Sequence, residues 1–102
     1  MFHVIAEIDI NEGRRNAFLE EFNEVVPLVL KEDGCIEYGA TIDVSTELER
    51  QAPLRKDTVT IVEKWSGIEA LQAHLDSGHM AAYRERVKDH VAGATLRILE
   101  PA

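Results

Sequence analysis

The chain is short of cysteine, of positive charge and of long apolar runs. Cys35 is the one cysteine among 102 residues; it cannot close an internal disulfide, and it fits a reduced, cytoplasmic compartment. Eleven basic residues stand against nineteen acidic ones, a net charge of −8, and the basic residues cluster only as the pairs Arg14-Arg15 and Arg55-Lys56. Such a chain repels phosphate backbones, so no nucleic-acid partner is expected. No apolar run approaches the ~20 residues of a membrane span. The start, Met1-Phe2-His3-Val4, lacks the basic opening and apolar stretch of a secretory signal. The six glycines are scattered, forming neither a phosphate loop nor a dinucleotide fingerprint.

What is present suffices for a single folded domain over residues 1–102. Hydrophobic residues make up 45% of the chain, enough to offset the entropy of ordering it. Residues 2–10 alternate at period two, with Val4, Ala6, Ile8 and Ile10 on one face and His3, Ile5, Glu7 and Asp9 on the other, which predicts a strand. After the turn chemistry of Asn11-Glu12-Gly13 the period becomes helical. Phe18, Phe22, Val25, Val26 and Val29 form an apolar stripe, with Glu20, Glu21 and Glu24 outside it. Pro27 should kink this helix, and Asp33-Gly34 should close it.

A second strand is expected over 35–44, carrying Ile36, Tyr38, Ala40 and Ile42 on one face. Residues 45–57 show no period and read as a long connection. Thr58 to Trp65 is the clearest strand. Ser66-Gly67-Ile68-Glu69 matches a capping box and predicts a short helix with Ile68, Leu71 and Leu75 inward. A break at Asp76-Ser77-Gly78 precedes a third helix from His79 to Val91, with Met80, Tyr83, Val87 and Val91 on one face and Gly93 ending it. Ala94 to Leu99 is the last strand.

The order β-α-β-β-α-α-β predicts an α+β, ferredoxin-like split βαβ fold: an antiparallel sheet with helices on one face. The other face, carrying Ile5, Val62 and Leu96 among His3, Glu7 and Lys64, would need cover from a second copy of the chain related by twofold symmetry.

Few groups point to chemistry. His74 and His79 are separated by a helix break, off the i, i+4 spacing of a helical metal pair, and His3 and His90 are remote in sequence, so no metal site is expected. Cys35 reads as a small buried hydrophobe. Trp65, Tyr38, Tyr83, His74 and His79 gather near the broken helix. Each alone reads as a core or helix-end residue, but Glu63 on the same strand face as Trp65 would be a costly buried carboxylate. Together they outline an apolar cleft with a few polar groups between sheet and helices.

The stretches Val4-Ile5-Ala6-Glu7-Ile8, Leu30-Lys31-Glu32-Asp33-Gly34-Cys35, Val62-Glu63-Lys64-Trp65 and Ala73-His74-Leu75-Asp76-Ser77-Gly78-His79-Met80-Ala81-Ala82-Tyr83 resemble the antibiotic biosynthesis monooxygenase (ABM) family. Val26-Pro27 and Arg97-Ile98-Leu99-Glu100-Pro101 are similar to its quinol monooxygenase branch. The resemblance implies a homodimeric α+β barrel that oxygenates a quinol or related polyphenol with dioxygen and no cofactor. It places the family tryptophan at Trp65 and the residue facing it at Tyr83. Ala6 and Tyr83 stand where the haem-degrading branch would have asparagine and histidine, which disfavours haem chemistry. Ile61 falls at the polyketide branch's asparagine, so the proton must go elsewhere. His79 is the expected base, with His74 close behind and Tyr83 bonding the substrate oxygen. Trp65, Tyr38 and Glu63 are the expected binding residues, Glu63 orienting a histidine or acting as base itself. A small-metabolite isomerase and a non-catalytic ligand-binding stress protein are the alternatives for this fold.

Overall fold

Period-two alternation makes the first element. In the computed structural model, which describes residues 1–102, Phe2–Ile10 forms strand β1 and buries Val4, Ala6 and Ile10. Helix α1 (Arg15–Leu30) follows, its stripe burying Phe18, Phe22, Val25 and Val29 while Val26 stays half-buried. The helix runs through Pro27 to Leu30. Strand β2 (Cys35–Thr41), strand β3 (Thr58–Trp65), helix α2 (Ile68–Leu75), helix α3 (Gly78–Val87) and strand β4 (Val91–Leu99) complete the order. The strands lie as β2-β3-β1-β4, every neighbouring pair antiparallel. This is the ferredoxin-like arrangement that the element order predicts.

The register shows which side chains meet. Val4 lies opposite Glu63, Ala6 opposite Ile61 and Ile8 opposite Val59, so these residues share one face of the sheet. Tyr38 joins that face opposite Glu63, and α1 and α3 pack together on it.

Several expectations are corrected. A register shift between Cys35 and Glu37 inserts an extra residue into β2. Ile36 is therefore thrown out to solvent while Cys35 packs on the core, as a bulge must do when it resets the alternation. The strand stops at Thr41, leaving Ile42 exposed. Ser66 does not cap α2. Gly67 occupies the cap without a side-chain bond, and the Ser66 amide, which Glu69 would accept from in a capping box, is committed to the Gly34 carbonyl at 2.8 Å. Ile68 is consequently half exposed. Helix α3 ends at Val87, and Val91 and Gly93 belong to β4, where Gly93 pairs with Asp9. Leu96 pairs with Ala6 and thus lies on the helix side of the sheet. No helix packs broadly on β4, so Leu96 and Ile98 remain about half exposed there.

Gly34 controls the geometry of the future site. Its φ of +82° is left-handed, and a Cβ would lie 2.5 Å from both the Ala70 Cβ and the Ser66 Oγ. Gly34→Ala should therefore combine backbone strain with a clash and lower stability by roughly 2–4 kcal/mol. Gly13 has a similar φ of +78° but open space around it, so Gly13→Ala should cost about 1 kcal/mol. Urea unfolding of the two variants measures the difference.

Candidate functional site

Between the sheet and α1 and α3 lies a cavity of about 450 Å³. Its floor is Ala6, Ile8 and Ile61, its helical wall Phe18, Met80, Tyr83 and Val87, and Val91, Ala94 and Leu96 of β4 line one side. Four of the expected site residues face it: Tyr38, Glu63, His74 and Tyr83. Two do not. Trp65 is completely buried and lies one layer behind, because its place at the end of β3 tucks the indole under α2. His79 opens α3, as expected, but its Nε2 is turned onto Glu32.

The buried polar groups form two connected sets. Trp65 Nε1 donates to Glu63 Oε1 at 2.9 Å. Behind them, Glu32 Oε2 meets His74 Nδ1 at 2.9 Å and His79 Nε2 at 2.8 Å. The His74 ring is held between Trp65 and Tyr38, with centroids 4.6 and 5.3 Å away. Phe22 stacks on Tyr38 at 5.3 Å and meets Tyr83 edge-on at 6.0 Å. No buried side-chain nitrogen or oxygen lacks a partner. The Tyr38 and Tyr83 hydroxyls, Glu63 Oε2 and His74 Nε2 make no hydrogen bond to protein, and all four residues line the cavity.

Burial shapes their protonation. It pushes the Glu63 carboxyl up to about 7; the Trp65 N–H opposes this and the Glu32 charge adds to it. Burial also holds His74 below the usual histidine value, against the pull of Glu32. The tyrosine hydroxyls are raised for the same reason, so both stay protonated hydrogen-bonding groups. The arrangement offers an acceptor nitrogen, a carboxyl that titrates near neutrality and two hydroxyls around an apolar volume. That suits proton transfer on an aromatic molecule.

Sequence reasoning missed Glu32, Arg84 and Lys88. The last two are exposed residues of and just beyond α3 that border the cavity. One signal for Glu32 was available: an acid beyond a helix C-terminus is disfavoured by the helix dipole, and needs a compensating partner. The two histidines supply it. No group of three or more His, Cys, Asp or Glu side chains has the geometry of a metal site.

The sequence profile described as antibiotic biosynthesis monooxygenase matches residues 1–86. The chain belongs to the ABM family. It is 41% identical over 103 positions to the Escherichia coli (strain K12) protein named "Probable quinol monooxygenase YgiN", covering 99% of this chain and 98% of that one. A conserved protein of Bacteroides thetaiotaomicron VPI-5482 is 28% identical, with a TM-score of 0.77 over 97% of this chain and 95% of the other. PA3566 of Pseudomonas aeruginosa, at 19% identity, shares the fold with a TM-score of 0.80 over 99% and 93%. Within this ABM domain, Tyr38, Glu63, His74 and Tyr83 supply polar groups to the cavity lining.

Because Glu63 is raised in the folded state, its contribution to stability is fully present below the unfolded value of 4.5 and is lost as pH climbs through about 7. Glu63→Gln keeps an acceptor for Trp65 and cannot titrate. Relative to wild type it should gain about 3 kcal/mol between pH 4 and pH 8, measured by urea unfolding at both values. Trp65→Phe should push the Glu63 titration higher still.

Proposed function

We propose that this ABM protein is a cofactor-independent monooxygenase that oxidises a quinol or related polyphenol with dioxygen. The observation that carries the reading is that His74, Glu63, Tyr38 and Tyr83 line one cavity otherwise made mostly of hydrophobic side chains. The volume falls in the range of small-molecule sites, roughly 300–1,000 Å³. The name of the Escherichia coli relative supports the quinol as substrate class.

A quinol hydroxyl ionises near the tyrosine value of about 10, so at neutral pH a base is needed. His74 takes the proton on Nε2; His79, the expected base, has its Nε2 engaged by Glu32 and does not line the cavity. The quinolate is electron-rich enough to reduce dioxygen directly. One oxygen atom replaces a ring hydrogen, forming a C–O bond, and the other leaves as water. Quinol plus dioxygen thus gives hydroxyquinone plus water, and the substrate supplies all four electrons. Glu63, protonated near neutral pH, donates to the departing oxygen. The Tyr38 and Tyr83 hydroxyls hold the substrate oxygens, and the aromatic walls orient the ring and exclude water.

The working form is a homodimer in this reading. Support comes from the sheet face with no helix over it, which carries Ile5 and Val62, and from the half-exposed Leu96 and Ile98 on β4. A cytoplasmic site fits the free Cys35, and no helix is long and apolar enough to cross a membrane. Light scattering should give twice the chain mass at micromolar concentration.

The deciding experiment is oxygen uptake with a panel of reduced naphthoquinols, corrected for autoxidation. The rate should rise with pH through the lowered His74 value and fall again as Glu63 ionises near 7, giving a bell-shaped profile. His74→Ala should reduce it roughly 10²-fold or more. Turnover without oxygen consumption would point to an isomerase, and binding without turnover to a ligand-binding protein.

A further inference from the structure

Glu32 carries no role in the steps above, yet its carboxylate is held between two histidines. A single oxygen, Oε2, faces two histidine nitrogens at 2.9 and 2.8 Å, and its side chain is only 14% exposed. An ionised carboxylate has no hydrogen to give, so each nitrogen facing it must bear one. We infer that Glu32 is a positioning residue that fixes His74 in the tautomer with hydrogen on Nδ1 and the lone pair on Nε2, and that His79 acts only by anchoring Glu32.

The consequence follows from ring chemistry. A neutral imidazole holds one hydrogen, so a donor bond from Nδ1 leaves Nε2 as the acceptor. Nε2 is the nitrogen that reaches the cavity. When it takes a proton, the carboxylate on the opposite nitrogen balances the new charge. The surroundings leave Glu32 to do this: Arg84 of α3 and the His79 ring oppose a positive His74, while Tyr38 and Cys35 of β2 and Glu63 of β3 all feel the Glu32 charge. His79 is the more open of the two rings, its side chain 27% exposed against 2% for His74. It donates to the same oxygen and holds the carboxylate square to His74. The inference rests on His74 being the base, but the tautomer itself can be read without turnover.

Nitrogen-15 NMR of the full chain, with histidine side chains labelled, makes the first test. In the wild type, His74 should show a protonated Nδ1 and an acceptor Nε2 once neutral. Glu32→Gln can present its amide N–H₂ to Nδ1 and should move the hydrogen to Nε2. Kinetically, Glu32→Gln should lower kcat for quinol oxidation by roughly 10²-fold or more, as loss of tautomer control does elsewhere, and shift the acid limb of the pH profile, with KM little changed. His79→Ala should give a smaller loss in the wild type and none when added to Glu32→Gln, since a residue acting through another is not additive with it. His79→Gln, which keeps a donor, should restore most of the rate. The inference is overturned if His74 keeps its Nδ1 hydrogen in Glu32→Gln, or if the Glu32 and His79 losses multiply. Should Glu32→Gln fail to fold, His79→Ala against His79→Gln decides: equal losses in both would sink the anchoring role. An inactive wild type with the stated tautomer would refute the quinol reading alone.

Discussion

One backbone contact governs the rest of the site: the Ser66 amide on the Gly34 carbonyl, 2.8 Å long. It ties the turn after α1 to the junction between β3 and α2, and it does so at a glycine whose missing side chain leaves room for Ala70 and Ser66. The ionisable groups Glu32, Glu63 and His74 all come from or adjoin those two segments. Glu32 comes from the turn; Glu63 and Trp65 end β3, and His74 sits one helix later. If the two segments parted by an ångström, the 2.9 Å contact between Glu32 and His74 would lengthen beyond a good hydrogen bond.

Two carboxylates lie behind and beside one cavity, in different surroundings. Glu32 meets two histidine nitrogens with a single oxygen. Glu63 has one donor, Trp65, and is otherwise in apolar surroundings, so its carboxyl is raised to about 7. The charge on Glu32 raises it further. An ionised orienting group and a protonated donor are thereby obtained from the same residue type, which is how a fold separates acid from base roles without changing its chemistry.

The parts of this arrangement set by periodicity were legible in the sequence. Phe18, Phe22, Val25 and Val29 declare their helix face, and Ile61, Glu63 and Trp65 their strand face, because each repeat is long enough to exclude a slip. The misreadings all fall where one local event resets a pattern. The bulge at Ile36 flips the alternation of β2, and no residue type in Cys-Ile-Glu-Tyr announces it. Ser66 satisfies the spacing of a capping box, yet a tertiary bond takes its amide. Val91 continues a helical stripe on paper, but β4 gains a ladder with β1 from Val91 onward, which a helix there would forfeit. Glu32 was hidden for a different reason: its partners are 42 and 47 residues away, beyond any local period. The histidines were visible as candidates, but which nitrogen faced what was not.

The distribution of charge has a last bearing on the chemistry. The chain carries a net −8, a field that by itself opposes an anion forming inside it. Yet the charged side chains bordering the cavity, apart from Glu63, are Arg84 and Lys88, and Glu63 is uncharged for as long as the pH stays below about 7. Local potential in a low-dielectric cleft is set by the nearest charges more than by the distant sum. Arg84 is further held in place by its bond to the Leu75 carbonyl at 2.7 Å, one of the last acceptors of α2, so its position costs the cavity no additional ordering. In the proposed reaction, a molecule losing a proton to His74 would do so in a cavity bordered by two cations and a neutral carboxyl.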